Sequence, residues 1–305
     1  MNLPVVRYRF RVRVLDALRL PDYAGSLLRG AFGHALRRIA CMTRLNDCNQ
    51  CPLQGTCPYP LIFEAPAPGE RHSLLLTRAP NPYVIEPPAP GARLLEGGES
   101  FEFAMVLIGQ ALAQLPLVVL AWESALAEGL GKTRSRCQLL DVHCEDDPEP
   151  VYRAGHPQVR GHRPQPLPPP TTARHLRLQL LTPLRLQKDG QCVGRRELDA
   201  RTLLVALARR AQALRDLHQP EQPRIDFAAL AERAARIELQ GELRWFDWTR
   251  YSNRQQREMT LGGLLGEVQL SGELDELLPL LHLGQWLHLG KNATFGLGHY
   301  RIRAA

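Results

Sequence analysis

The order of apolar and polar positions predicts alternating strands and helices along the chain. Residues 4–15 follow period two, with apolar side chains on one face and arginines on the other. This is the pattern of a half-buried strand with an unusually basic outer face. The apolar members are Val6, Tyr8, Phe10, Val12 and Val14, and the basic members are Arg7, Arg9, Arg11 and Arg13. Four arginines on one face favour an anion-binding surface over a merely solvated one.

The first half continues with a helix and further strands. Asp22 is a candidate N-cap for a helix over residues 23–39, where apolar positions recur every three or four residues. The same reading predicts strands at 83–86, 100–108 and 137–143, and an apolar helix at 109–128 that bends near Pro116. The resulting order is strand, helix, strand, strand, helix, strand.

The second half repeats this order after a proline-rich segment. Strands are predicted at 175–186, 237–248, 258–270 and 298–303, with helices at 199–217 and 273–287 and a helical insert at 226–236. The density of prolines predicts an extended linker. We therefore expect an α+β protein with two tandem ferredoxin-like βαββαβ domains: an N-terminal domain at 1–145, a linker at 146–172 and a C-terminal domain at 173–305.

A glycine-containing loop before the last strand of each half supports an internal duplication. The sequence GLGK occupies residues 129–132, and HLGK occupies residues 288–291, followed by Gly296 and Gly298. Two of the three lysines of the protein, Lys132 and Lys291, stand at matching places. Glycines permit close approach of another molecule, and the lysine adds a cation, which suits a phosphate or a polyanionic backbone. Because the loop follows a helix and precedes a strand, it is not a P-loop, and we expect no nucleotide cofactor.

The composition adds a basic charge and a size sufficient for two domains. The chain has 305 residues, 38 Lys and Arg against 31 Asp and Glu, and a formal charge of +7, which corresponds to a pI near 9.2. Nearly all the cations are arginines, whose planar guanidinium binds phosphate in bidentate fashion and stacks on bases. Nucleic acid is therefore the favoured partner class, ahead of a basic surface kept for solubility. Without a recognisable signal peptide or a membrane-spanning run, we expect a cytoplasmic protein with no membrane partner.

Four of the seven cysteines form a compact cluster. Cys41, Cys48, Cys51 and Cys57 are separated by six, two and five residues. In a chain expected to be cytoplasmic, such a cluster indicates metal ligands before disulfides or free thiols. Zinc held by all four thiolates in a structural site, within an insertion at 41–57 of the first domain, is the first expectation. An iron–sulfur cluster is the alternative.

The first predicted helix carries a candidate catalytic residue, His34. On a helical projection it falls on the flank opposite the core stripe, near Tyr23 and Gly30. Gly30 and Gly33 each weaken the helix by about 1 kcal/mol relative to alanine, so something is expected to pack closely there. A histidine at this position is either an ordinary surface residue or a proton-transfer group.

A projecting hairpin, RWFDWTRYSNRQQRE at residues 244–258, interleaves aromatic residues with arginines. This composition suits single-stranded nucleic acid, through stacking and phosphate contacts. We expect Trp245 to lie in the core, and Arg250 and Arg254 to contact the nucleic acid.

These motifs together resemble the CRISPR-associated pre-crRNA-processing endoribonucleases of the RAMP superfamily. The resemblance rests on the loop GKNATFGLG at 290–298, the hairpin from Arg250 to Gly263, the LLRGAFGHALR helix and the central GLGK loop. It covers nearly the whole chain, including the cysteine-rich insertion that some members carry. The family loop begins with a glycine where this chain has His288.

The resemblance implies cleavage of a CRISPR repeat RNA without a catalytic metal. The family's 2′-hydroxyl attack leaves a 2′,3′-cyclic phosphate and a 5′-hydroxyl. Carried over to this sequence, the catalytic residues would be His34, assisted by Tyr23 and Lys291. The RNA-binding residues would be Arg29, Arg37, Lys132, Arg250, Arg254, Gly290, Gly296 and Gly298.

Two other functions remain open from the sequence. The first is a non-catalytic RAMP subunit that holds crRNA in an effector complex and has other CRISPR effector subunits as partners. The basic strand and the glycine loops fit this function equally well. A zinc-stabilised DNA-binding module is the third reading. Only His34 and its neighbours favour the enzyme.

Overall fold

The computed structural model describes residues 3–65, 80–156, 158–162, 171–188, 190–252 and 257–303, apart from the side chains of residues 248–261. The chain divides into two compact units. The N-terminal unit comprises Leu3–Pro166 and Leu217–Gln219, and the C-terminal unit comprises Met1–Asn2, Leu167–Asp216 and Pro220–Ala305.

The N-terminal unit is built on a five-stranded antiparallel sheet. Its strands and helices, in chain order, are β1 (Val5–Val14), β2 (Leu18–Leu20), α1 (Gly25–Ala40), α2 (Pro58–Ile62), β3 (Tyr83–Glu86), β4 (Arg93–Leu95), β5 (Ser100–Ile108), α3 (Leu115–Glu128), β6 (Cys137–Cys144) and β7 (Pro150–Arg153). The sheet order is β3-β5-β1-β6-β7, and β2 and β4 form a separate pair. With α1 and α3 as crossovers, β1, β3, β5 and β6 form the predicted βαββαβ unit.

The central strand β1 is buried on its apolar face, as its alternation predicts. Phe10 stacks on Phe103 of β5 with ring centroids 5.0 Å apart, and Trp122 of α3 lies 4.4 Å from Phe103. Phe32 of α1 completes this aromatic core, 5.2 Å from Trp122. Burial of such rings supplies much of the stabilising apolar area of the unit.

The basic face of β1 is only partly available to a ligand. Arg7 is ion-paired with Glu86 and Glu145, each at 2.8 Å, and Arg11 pairs with the buried Asp141. The guanidinium groups of both arginines are therefore engaged in ion pairs within the N-terminal unit. Arg9 and Arg13 are exposed.

The apolar segment before β6 is a core helix. Residues Gly109–Glu128 are long and apolar enough to cross a membrane by length and composition. They form a 3-10 helix, Gly109–Gln114, followed by α3, whose first turn contains Pro116. Trp122 and Leu126 of α3 are fully buried. The change of helix type before Pro116 corresponds to the predicted bend, because proline cannot donate within a helix but fits its first turn.

Two local expectations are corrected in this unit. Helix α1 begins at Gly25 rather than at residue 23, and Ala24 occupies the N-cap position. Among the described residues no side chain, that of Asp22 included, caps the helix by a hydrogen bond. The predicted extended linker at 146–172 contains a regular element, β7, which pairs with β6. A proline is compatible with β7 because Pro150 is the first residue of an edge strand, where a missing N–H is tolerated.

The C-terminal unit repeats the same topology. Its elements are β8 (His175–Leu184), β9 (Gln187–Lys188), β10 (Gln191–Cys192), α4 (Ala200–His218), α5 (Phe227–Ala234), β11 (Glu238–Ser252), β12 (Arg257–Ser271), α6 (Leu278–Leu287) and β13 (Tyr300–Arg303). The main sheet has the order β11-β12-β8-β13, and β9 and β10 form a separate hairpin. In both units the second, third, first and fourth strands of the repeat are neighbours in that order. The prediction of an α+β protein with two tandem ferredoxin-like units is confirmed.

Candidate functional site

The C-terminal glycine-rich loop joins α6 to β13 and begins in an unusual backbone conformation. His288 occupies the C-cap of α6 with φ 57° and ψ 159°. In the N-terminal unit, Gly129 occupies the C-cap of α3 with φ 100° and ψ 149°. Gly290 and Gly131 then follow with φ 88° and 76°. The two loops thus have the same local turn, although one begins with histidine and the other with glycine.

The side chain of His288 makes its contacts in the interior of the C-terminal unit. Its side chain is fully buried, its Nδ1 donates to the carbonyl of Leu297 at 3.2 Å, and its ring stacks on His299 with centroids 4.5 Å apart. Positive φ is uncommon for a residue with a Cβ and costs about 1 kcal/mol or more. These contacts offset that cost.

The glycines of this loop are required for close backbone packing. A Cβ on Gly298 would lie 1.8 Å from the carbonyl oxygen of Leu289, and one on Gly290 would lie 2.3 Å from that of Arg185. The amide of Gly298 donates to Pro183 at 3.0 Å. Thr182 donates through Oγ1 to Gly296 at 2.7 Å. The loop is therefore held against the end of β8, and Gly296 and Gly298 are buried.

The lysine of each loop points to solvent. Lys291 is exposed, while its backbone amide donates to Arg185 at 2.8 Å. Lys132 is exposed at the matching place in the N-terminal unit. Each loop thus presents a cation from a backbone that is fixed by internal hydrogen bonds.

The hairpin of β11 and β12 corrects one prediction. Trp245, expected in the core, is 42% exposed. The ring lies across the backbone of Gly262, where a Cβ would be 2.5 Å from its Cζ2. Arg250 belongs to β11, but its side chain is outside the described part, and Arg254 lies outside the described residues altogether. Their predicted contacts with nucleic acid stay predictions.

On α1, His34 is exposed and its surroundings are open. Its neighbour one turn before is Gly30, and among the described residues no atom lies within 4 Å of a Cβ built there. Gly33 differs, because a Cβ there would lie 2.1 Å from the ring of Phe63. Gly33 therefore accommodates a core aromatic ring, whereas the space beside Gly30 is open among the described residues.

Tyr23 lies near the start of α1 but is only 6% exposed. Burial raises the pKa of its hydroxyl well above the usual value, and the negative charge of Glu86 raises it further. Tyr23 therefore stays protonated at neutral pH. It can donate a hydrogen bond but cannot act as a base.

The two arginines of α1 assigned to RNA have partners inside the unit. Arg29 donates to the hydroxyl of Tyr83 at 3.0 Å and lies 4.4 Å over the ring of Phe63. Arg37 donates to the carbonyls of Leu45 and Asn46 at 2.7 and 3.1 Å. Arg37 thus anchors the cysteine-rich insertion to α1.

The four clustered cysteines line one pocket between the end of α1 and α2. All are free thiols and partly buried. Burial, and then the nearby negative charge of Glu64, raise the pKa of Cys48 to about 11. Cys51 lies 3.3 Å from the hydroxyl of Thr43. All four sulfurs line this pocket, although among the described residues they do not form a group with ligand atoms within 4.8 Å of one another.

Two residues of this architecture were missed by sequence reasoning. Thr182 accepts from the amide of His299 at 2.8 Å in addition to its bond with Gly296. Arg185 donates through its side chain to Gly262 at 2.8 Å and accepts from Lys291 through its carbonyl at 2.8 Å. Their partners are about 80 to 120 positions away along the chain, so no local pattern could have identified them.

Comparisons with known proteins agree with this fold. No curated protein matches the sequence. A solved Cas6 product complex has a TM-score of 0.61 and 18% identity over 98% of this chain and 100% of that chain. The structure of Thermus thermophilus Cas6 has a TM-score of 0.55 and 17% identity, over 99% of this chain and 100% of that chain. A partial Cas6-RT-Cas1–Cas2 complex gives 0.56 and 16% over 99% of this chain and 46% of that chain. At these identities the structures establish the fold.

The family comes from the sequence itself. A family model described as an N-terminal domain matches residues 3–164. The model of the CRISPR-associated endoribonuclease Cas6 matches residues 178–300, which include the hairpin, the glycine-rich loop and the start of β13. Residues 178–300 therefore belong to the Cas6 family of CRISPR-associated RAMP endoribonucleases, which process CRISPR repeat RNA.

Proposed function

We propose that this protein binds a CRISPR repeat RNA and cleaves it at one position without a catalytic metal. A 2′-hydroxyl attacks the adjacent phosphorus, so that an O2′–P bond forms and the P–O5′ bond breaks. The products are a 2′,3′-cyclic phosphate and a 5′-hydroxyl. One group must accept the proton of the 2′-hydroxyl, and another must donate a proton to the departing O5′.

The exposed His34 is the observation that carries this proposal. Imidazole can accept or donate a proton near neutral pH. Among the described residues, the space beside Gly30 is open to an approaching RNA backbone. Arg38, one turn further along α1, is ion-paired with Glu128. We assign to His34 one of the two proton transfers.

Lys291 and Tyr23 have supporting roles in this proposal. The exposed ammonium of Lys291, fixed by the loop, would stabilise negative charge on an RNA phosphate. Tyr23 remains protonated and buried, so it would act by positioning its neighbours rather than by contacting the RNA. Lys132, Arg250, Arg254 and the loop of Gly290, Gly296 and Gly298 are assigned to RNA binding. Arg29 and Arg37 would affect RNA binding indirectly, because Arg29 contacts Tyr83 and Phe63 and Arg37 holds the cysteine-rich insertion.

Relatives support RNA and CRISPR proteins as partners. One similar structure is a Cas6 product complex, and another is a Cas6-RT-Cas1–Cas2 complex with a TM-score of 0.56. We propose repeat RNA as the substrate and the cleaved crRNA as the product, with other CRISPR proteins as further partners.

The direct test is incubation of the purified protein with its host's repeat RNA in EDTA. We expect a single cut at the rate seen with Mg²⁺. The upstream fragment should resist phosphatase until its cyclic phosphate is opened. A repeat carrying one 2′-deoxynucleotide just before the cut should bind equally and remain intact, because the nucleophile is missing.

Two results would contradict the chemistry. Cleavage that requires Mg²⁺ and leaves a 5′-phosphate would indicate metal-activated water instead. Cutting of the 2′-deoxy substrate would exclude the 2′-hydroxyl as nucleophile. Preference for DNA over RNA would support the DNA-binding reading.

We also infer that Cys41, Cys48, Cys51 and Cys57 hold one structural zinc ion. The support is the shared pocket lined by all four thiols, none of them in a disulfide. Zinc would bind the deprotonated sulfurs and close the insertion that Arg37 anchors to α1. The metal takes no part in cleavage in this proposal.

Metal analysis of the purified protein tests the zinc site. We expect about one zinc per chain, falling below about 0.2 in Cys48→Ser, with a lower Tm because a structural metal contributes folding free energy. Cys192→Ser is the matched control, since Cys192 is also a partly buried free thiol but lies in β10. Equal zinc in both variants would refute the site, and iron with sulfide would identify a cluster.

One observation favours a non-catalytic alternative. Tyr23 is buried, and Arg29 and Arg37 have internal partners, so His34 alone supports proton transfer on α1. The basic charge and both lysine loops would bind RNA without it. A RAMP protein that binds different RNA substrates has a similar fold, with a TM-score of 0.50 and 9% identity. Tight binding of the repeat without cleavage would establish this alternative.

A further inference from the structure

Trp245 departs from the burial of its neighbours on the same sheet face. Alternate residues of β11 share a face, and Leu243 is 5% exposed whereas Trp245 is 42% exposed. Its cross-strand partner is Leu264, which is 1% exposed. A large aromatic surface is therefore left open where the buried part of this face ends.

The indole is held in one orientation by its own hairpin. Its Nε1 donates to Oδ1 of Asp247 at 2.8 Å. A Cβ on Gly262 would lie 2.5 Å from the ring and 2.3 Å from Oδ1 of Asp247. Gly262 is therefore needed for the ring to lie on β12. With its single polar group occupied, the exposed part of Trp245 offers only π surface.

A short chain of contacts connects this ring with the glycine-rich loop. Trp245 lies on Gly262, and the carbonyl of Gly262 accepts from Nη1 of Arg185 at 2.8 Å. The carbonyl of Arg185 accepts in turn from the amide of Lys291 at 2.8 Å. All these residues belong to the C-terminal unit. A polyanion that contacts Lys291 would thus run near the platform formed by Trp245.

We propose that Trp245 is a stacking platform for one unpaired base of the bound RNA. Every base has a π face, and stacking on an aromatic side chain needs no hydrogen bond from the ring. The carboxylate of Asp247 disfavours a phosphate at this spot, so a nucleotide presents its base to Trp245 and its backbone towards the cations. The site selects an unpaired base over a base pair, because only an unstacked base can cover the ring. This inference rests on the proposed RNA-binding function.

A variant series with single abasic substitutions in the repeat tests the platform. We expect Trp245→Leu to weaken binding of the intact repeat about 5- to 100-fold, the range that loss of one stacked base produces. Trp245→Phe should stay within about threefold of the wild type, since it keeps an aromatic face. An abasic site at one position of the repeat should weaken its binding to the wild type by a similar factor. The same abasic site should hardly change the affinity of Trp245→Leu, which has already lost the stacked base. Thermal melting of all variants verifies that they are folded.

A second measurement uses the unaltered protein. With 5-iodouridine at the position found by the abasic scan, irradiation should cross-link the RNA to the peptide that contains Trp245. Cross-linking only to other peptides, or equal abasic penalties in the wild type and Trp245→Leu at every position, would overturn the platform. If the wild type still cuts the repeat in EDTA, the proposed function stands without it. If the wild type neither binds nor cuts the repeat, both proposals are wrong.

Discussion

Replacing His34 by alanine should lower the single-turnover cleavage rate of the repeat RNA about 10²- to 10⁴-fold, the contribution of one general acid or base. Binding of uncleaved repeat should change little, because the exposed ring makes no described contact that supports the loop or the hairpin. The fold should also be retained, since His34 is exposed on α1 and alanine is the best helix former. The measurement is the cleavage rate at saturating protein, with the affinity determined separately on 2′-deoxy repeat.

His156→Ala is the matched control for this prediction. His156 is exposed in the same unit, and no role in cleavage is assigned to it. It should cut at the wild-type rate. If His34→Ala also cut at that rate, proton transfer would belong to another residue. A loss of binding equal to the loss of rate would instead make His34 an RNA contact.

The second large effect is expected for Gly298→Ala. The new Cβ would lie 1.8 Å from the carbonyl oxygen of Leu289, at a φ of 73° that alanine adopts unfavourably. The hydrogen bonds that Gly298 exchanges with Leu289 and Pro183, each 3.0 Å, would have to break or shift. Overpacking and backbone strain together predict a loss of about 3 kcal/mol in the free energy of unfolding, and a fall in Tm of roughly 10 °C. RNA binding should fall as well, because Lys291 is carried by the same loop.

The control separates the clash from the backbone strain. Gly131 has a similar φ of 76°, and a Cβ there meets no atom within 4 Å in the described part of the chain. Gly131→Ala should therefore cost only about 1 kcal/mol. Denaturant unfolding of both variants provides the comparison. Equal losses would mean that the close approach of Gly298 to Leu289 contributes nothing.

The two glycine-containing loops, GLGK and HLGK, show what a local sequence pattern can and cannot predict. HLGK and GLGK are recognisable as equivalents in the sequence, and their turns have the same signs of φ. The sequence could not indicate how His288 tolerates a conformation suited to glycine. That depends on a buried stack with His299 and a carbonyl from Leu297, which exist only after folding.

The sequence by itself determined the repeated order of strands and helices, because period two and period 3.6 are local properties of the chain. It also identified the cysteine cluster and the exposed flank that carries His34. Only the tertiary structure decided which side chains remain available. Arg29 and Arg37 are engaged by Tyr83 and by the insertion, Tyr23 is buried near Glu86, and Trp245 is open to solvent. Burial and pairing depend on residues distant in sequence, so no local periodicity specifies them.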